Sequence, residues 1–181
     1  LAPEKLALKA SELRARGNIG VAYTYNEPLT GYEYVRDAAK IVKQYGMKNV
    51  LVTNGAFSEA VEESLLPYID AMNVDLKGIR EDYYRKLGGD LGTVQNFIKK
   101  AADRCHVELA ALIVPGENDS REEMEEMAAW VASVNPDIPL HVNRFFPIWN
   151  MADKKATETE EVYRLAETAR AYLKYVFVGN C

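Results

Sequence analysis

The chain has 181 residues, with 27 acidic side chains against 22 basic ones and a formal net charge of −5. Hydrophobic residues make up 48% and charged residues 27%, ordinary globular usage that excludes disorder and fibrous repeats. The length suits one domain with a sizeable core, no apolar run reaches the roughly 18 residues that cross a bilayer, and no basic stretch exists to neutralise nucleic-acid phosphates.

In chain order, Pro3 to Arg16 reads as a helix with Leu6, Ala10 and Leu13 on one face, stopped by Gly17. Ile19 to Tyr25 reads as a strand. Gly31 to Tyr45 is helical, with Tyr34, Val35, Ala38, Ile41 and Val42 as its apolar stripe. Asn49 to Thr53 is a short apolar strand, and Ser58 opens a helix to about Tyr68. Ala71 to Leu76 is a strand, Arg80 to Leu87 a helical connector and Leu91 to Asp103 a helix. Val107 to Val114 is a strand, Asp119 or Ser120 caps a helix to about Val134, and Pro139 to Phe146 is the next strand. A last helix over Thr159 to Leu173 feeds the strand Tyr175 to Val178.

Alternating strands and helices predict right-handed crossovers and a parallel sheet. Consecutive apolar residues, as in Val50-Leu51-Val52 and Leu112-Ile113-Val114, predict strands covered on both faces. No Gly-rich phosphate fingerprint follows the first strand, which argues against a dinucleotide-binding fold. Polar residues collect after the strands instead, the habit of a (β/α) barrel, in which eight strands make a closed ring. The fold class is therefore α/β, a partial (β/α)6 TIM-like barrel of parallel strands truncated at its N-terminal edge, with residues 1–181 as one partial domain. The chain starts at Leu1 inside a helical pattern, where no signal peptide is expected before the first helix, and stops just after a strand. These ends predict a piece of a longer protein, lacking a first strand and loop upstream, with proteolytic maturation as the alternative.

The strand ends carry the candidate chemistry. The first delivers Thr24-Tyr25-Asn26-Glu27-Pro28, where Pro28 biases Glu27 toward extended geometry. The second delivers Thr53-Asn54-Gly55, the third Asp75 and Lys77 on one face, the fourth Pro115 to Asp119, and the fifth His141 to Arg144. Taken singly, Asn-Gly and Pro-Gly are turn formers, Asn118-Asp119 is a helix cap, and a histidine on a strand is an ordinary core residue. Together they predict a pocket offering carboxylates to an ammonium and hydroxyls, and Lys and Arg to a carboxylate. No nucleophile elbow or metal-binding helix is present. The two cysteines, Cys105 and Cys181, are too few for a disulfide scaffold and suggest a reducing, cytoplasmic setting, and they lack metal-ligand spacing.

In order along the chain, the runs Ala22 to Pro28, Val52 to Gly55, Asn73 to Gly78, Leu112 to Gly116 and His141 to Pro147 resemble the radical S-adenosylmethionine (SAM) enzymes. The branch most similar is that of the pyruvate formate-lyase activating enzymes, closest to the AmmeMemoRadiSam system radical SAM enzymes. The resemblance implies a SAM site at Tyr25, Asn26, Glu27, Thr53, Asn54, Asp75, Lys77 and Val114, with His141 and Arg144 on the substrate side. It also implies reductive cleavage of SAM to a 5′-deoxyadenosyl radical, hydrogen abstraction from a substrate that includes a protein among the options, and an electron donor such as flavodoxin or ferredoxin. The family's cysteine triplet is absent from this sequence, so a 4Fe-4S cluster is expected only in the full-length protein, and this chain alone is expected to be inactive. Val52 stands where the activases carry an acid, and Ala110 where they carry an arginine, which speaks against glycyl-radical activation as its particular job. The rival readings are a (β/α) barrel lyase or aldolase with Lys77 as its Schiff-base lysine, and a barrel fragment that binds a metabolite without chemistry.

Overall fold

A computed structural model describes residues 1–181. Six parallel strands form one open sheet in the order β1 to β6: Gly20–Tyr23, Lys48–Thr53, Ala71–Asp75, His106–Ile113, Leu140–Arg144 and Val176–Gly179. This is the expected partial barrel topology, each crossover carrying a helix. The helices are α1 (Pro3–Glu12), α2 (Tyr32–Gln44), α3 (Glu59–Leu65), α4 (Glu81–Lys86), α5 (Leu91–Ala102), α6 (Arg121–Val134) and α7 (Thr159–Arg170). The chain divides into two compact units, residues 1–74 with 93–107, and residues 75–92 with 108–181.

In the first unit, β1 pairs with β2 from Gly20↔Lys48 to Tyr23↔Leu51, and β2 with β3 from Val50↔Ala71 to Thr53↔Val74. A Cβ on Gly20 would lie 2.1 Å from the Lys48 carbonyl oxygen, so no larger residue fits that first rung. The apolar stripe of α2 (Val35, Ala38, Ala39 and Val42) is buried. Val42 packs with Met47 on Ala7 and Ala10 of α1, and Val21 and Ile41 lie against that cluster. Asn49, fully buried, holds the layer together: its Nδ2 donates to the Ala39 and Tyr68 carbonyls and its Oδ1 accepts from the Tyr23 hydroxyl. Each hydrogen-bonding group of that amide has a partner, the condition for burying it.

In the second unit, β4 pairs with β5 from Leu109↔Leu140 to Ile113↔Arg144, and β5 with β6 from Leu140↔Val176 to Asn143↔Gly179. Ser120 caps α6, its hydroxyl accepting from the Glu123 amide. Met124, Met127, Ala128 and Val131 of α6, and Val162, Leu165, Ala166 and Ala169 of α7, are buried.

Three expectations change. The strands are not sealed on both faces. Along β4 every second residue is buried (Val107, Leu109, Ala111, Ile113) while Glu108, Ala110 and Leu112 between them are half-exposed. One face meets helices and the other stays partly open, as an unclosed sheet requires. The first strand is shorter than Ile19 to Tyr25, because Tyr25 and Asn26 turn left-handed (φ 70° and 50°). The first helix tightens into a 3-10 turn at Leu13–Arg16 before Gly17 reverses the chain at φ 89°.

Candidate functional site

In the first unit the ends of β1 and β2 are joined by one side chain. Glu27 is extended (φ −132°, ψ 107°), as the following proline predicts. Its Oε1 accepts from the Leu29 amide at 3.0 Å and the Thr53 hydroxyl at 2.8 Å, and its Oε2 accepts from the Asn54 amide at 2.7 Å. Thr53 is buried and its hydroxyl oxygen also accepts from the Gly55 amide. Asn54 closes an Asx turn onto the Ala56 amide. The structure thus brings Glu27, Thr53 and Asn54 together, but the Glu27 carboxylate serves chiefly the chain itself. What it frees is backbone: Tyr25 and Asn26 are held left-handed, and the Tyr25 ring stands 89% exposed. Non-glycine residues in that region store strain that surrounding contacts must sustain, and Glu27 supplies such contacts. A cavity of about 500 Å³ lies beside this turn, lined by Tyr23, Thr24, Glu27, Pro28 and Tyr34 among others.

In the second unit, β3 ends at Asp75, and Lys77 lies just beyond the strand rather than on it. The two still meet: Lys77 Nζ is 2.6 Å from Asp75 Oδ2, each side chain about one-third exposed. The backbone under them is fixed twice. The Lys77 amide donates to the Tyr84 hydroxyl, whose pKa burial pushes up to about 12, and the Lys77 carbonyl accepts from Asn118 Nδ2 at 2.7 Å. Asn118 also donates to the Leu112 carbonyl and accepts from the Val114 amide. It is therefore a buried tether between the β4 exit and the Lys77 segment, not the helix cap its neighbour Asp119 suggested. Val114 itself is buried beside that tether.

Further along, His141 is the second residue of β5, below the strand end where the sequence placed it. Its Nε2 lies 2.6 Å from Glu108 Oε2 and its ring stacks on Phe177 at 5.3 Å. Arg144 ends β5; its Nε donates to the Thr157 carbonyl at 2.7 Å. Thr157, also buried, donates from Oγ1 to the Ile113 carbonyl. Glu108 and Thr157 escape the sequence reading because each lies outside the strand-end runs, and Asn118, inside the fourth run, reads there as a helix cap instead of the tether it is. A period-2 count on β4 places Glu108 on the same face as Ala110 and Leu112, and that was the available signal for it.

An α/β open barrel with polar strand ends defines the class. The profile of the Radical SAM superfamily matches residues 1–131, and the chain belongs to that superfamily. It is 36% identical over 165 residues to the uncharacterized protein MJ0808 of Methanocaldococcus jannaschii, covering 89% of this chain and 49% of that one. The chain thus spans about half the length of the curated relatives it matches. Among solved structures, a domain of pyruvate-formate lyase-activating enzyme from Bacteroides vulgatus superposes with a TM-score of 0.74 at 17% identity, covering 89% of this chain and 99% of that one. Streptococcus suis SuiB bound to S-adenosylmethionine gives 0.76 at 15% identity, over 99% of this chain and 42% of SuiB. At such identities these structures speak for the fold.

The superfamily implies SAM and a 4Fe-4S cluster. The cluster does not fit the residues present. Cys105 is half-buried with its thiol pKa raised to about 11, chiefly by burial, Cys181 is exposed, and no cluster of metal-ligating side chains exists. The chemistry that SAM needs is present in each unit taken by itself: the left-handed turn at Tyr25 and Asn26 in the first offers backbone carbonyls, and in the second Asp75 offers an acceptor and Lys77 a cation.

Proposed function

We propose that these residues are the SAM-binding part of a radical SAM enzyme of the pyruvate formate-lyase activating enzyme-like branch. The observation that carries the reading is the Glu27 latch, which holds Tyr25 and Asn26 left-handed at the end of β1 and fixes Thr53 and Asn54 at the end of β2. Tyr25 and Asn26 then present backbone carbonyls to the methionyl ammonium, with Thr53 and Asn54 close to the methionyl or ribose part. Asp75 accepts from ribose hydroxyls, Lys77 pairs with the methionyl carboxylate, and the Val114 segment flanks the adenine. Given one electron from the cluster of the whole protein, bound SAM would supply a 5′-deoxyadenosyl radical, with methionine as the leaving group, and that radical would take hydrogen from a substrate. The share of these residues is to bind, orient and exclude water, and His141 and Arg144 face that substrate.

In the whole protein we place the cluster, an electron donor of the flavodoxin or ferredoxin type and a cytoplasmic site of action. A peptide substrate is one option; Val52 and Ala110, where the activases carry charge, weigh against glycyl-radical activation. The aldolase reading is disfavoured because Lys77 Nζ sits on Asp75 at 2.6 Å instead of in the desolvated pocket a Schiff-base lysine needs. No observation favours a non-catalytic role over the radical one.

The test uses the full-length protein, purified and reconstituted anaerobically with iron and sulfide, then reduced and frozen for EPR with and without SAM. A four-iron signal that changes shape on adding SAM is expected. No cluster, or a signal indifferent to SAM, overturns the reading.

A further inference from the structure

At the end of β5 the second unit contains a cavity of about 520 Å³, within the size range of small-molecule sites. Its walls are largely apolar: Leu112, Phe146, Ile148, Trp149 and Met151. One cation, Arg144, lines it, together with Asn150 and Asn180. Arg144 is oriented from two sides. Its Nε is held by the Thr157 carbonyl at 2.7 Å, and its guanidinium carbon lies 4.8 Å from the centre of the Phe146 ring. No carboxylate pairs with that guanidinium, although the chain carries 27 acidic residues. A fixed guanidinium against apolar walls is costly to desolvate until a planar anion meets its fork.

A second observation is independent of charge. Trp149 is left-handed (φ 50°) and 87% exposed, with Ile148 beside it 71% exposed. Asn180, also left-handed (φ 62°), donates to the Arg144 carbonyl from across the cavity. Asparagine visits this region readily, whereas a tryptophan there is strained, so Trp149 carries the pattern expected where the backbone is shaped for a ligand. A large indole held out at the mouth gives an aromatic body a surface to stack on.

We infer that this cavity binds a small molecule with a carboxylate on an aromatic body, the carboxylate on Arg144 and the ring against Trp149. That this ligand is the hydrogen donor rests on the radical reading above; the ligand chemistry does not.

The test titrates full-length protein by calorimetry with 4-methylbenzoate, 4-methylbenzamide and 4-methylphenylphosphonate, and with SAM on the same preparation. The acid is expected to bind at one site at least roughly tenfold tighter than the amide, the difference a charge-assisted hydrogen-bond pair supplies. Arg144→Gln should erase that difference and Arg144→Lys keep part of it, while Trp149→Ala weakens acid and amide alike. SAM binding retained by each variant certifies its fold. Equal binding of acid and amide, no saturable binding of either, or a preference for the phosphonate overturns the assignment. If SAM binds but 4-methylbenzoate does not, the pocket assignment fails alone; if 4-methylbenzoate binds and SAM does not, the SAM reading fails alone.

Discussion

Glu27 accepts three hydrogen bonds and has no donor of its own, so the isosteric Glu27→Gln tests the latch with little change of shape. Whichever way the amide turns, its NH2 faces either the Leu29 amide or the Asn54 amide, donor against donor. The expected result is a loss of roughly 1 to 3 kcal/mol in urea unfolding, together with weaker SAM binding by the full-length protein. Unchanged stability would show that the carboxylate does not hold the turn. Glu62 poses the opposite problem. It is 3% exposed, its Oε1 has no partner, and its carboxyl pKa is raised to about 7, first by burial, against an easing influence of Lys100. A carboxyl whose folded pKa exceeds its unfolded one binds extra protons when folded, so stability must fall as pH rises from about 4.5 through 7. Glu62→Gln should remove that slope and stabilise the protein at pH 8 by on the order of 1 to 3 kcal/mol. Thermal melts at pH 5 and pH 8 measure both, and a parallel pH dependence in variant and parent counts against the buried charge.

Elements were legible where a local rule decides them. Gly17 and Ser120 mark helix ends by capping, and the structure follows them; the stripe of α2 is followed at Val35, Ala38 and Val42, while Tyr34 is exposed, Ile41 is partly buried and Ala39 joins the buried face instead. Pro28 set Glu27 extended through a steric rule that needs no tertiary context. Tethers between elements were not legible, because Asn118 in a Glu-Asn-Asp run looks like any cap. Its role depends on a carbonyl 41 residues away, on Lys77. The same holds for Thr157, whose hydroxyl reaches the Ile113 carbonyl 44 residues back. Asn118→Asp keeps the acceptor for the Val114 amide but removes both donors and sets a carboxylate oxygen against the Lys77 and Leu112 carbonyls. A cost of roughly 2 to 4 kcal/mol is expected for that buried mismatch. Hydrogen exchange adds a local readout: the amides of Val114 and Lys77 should lose protection before the rest of the second unit. Uniform loss would mean that Asn118 supports the fold generally and not this segment.

At the scale of the molecule, the sheet order read from alternating elements leaves β1 and β6 as its ends. An end strand offers a row of unpaired amides and carbonyls, which natural proteins blunt with charge, bulges or cover. β1 carries little such defence. Gly20, Val21 and Ala22 are uncharged and only partly covered, and Ile19 before them is 77% exposed. Lys48 and Asp70 pair with each other on neighbouring elements, leaving no charge on the edge itself. The chain of residues 1–181 is therefore expected to self-associate along β1, and the net charge of −5 is a weak brake once salt screens it. Sedimentation velocity across a concentration series should show a dimer that strengthens with added salt. Ile19→Lys, which places a charge at the entrance to the strand, should shift it toward monomer without altering the melting temperature by more than about 2 °C, since an exposed site contributes little to stability. A monomer at all concentrations, with the β1 amides protected from exchange, would show that the edge is covered by this chain's own residues.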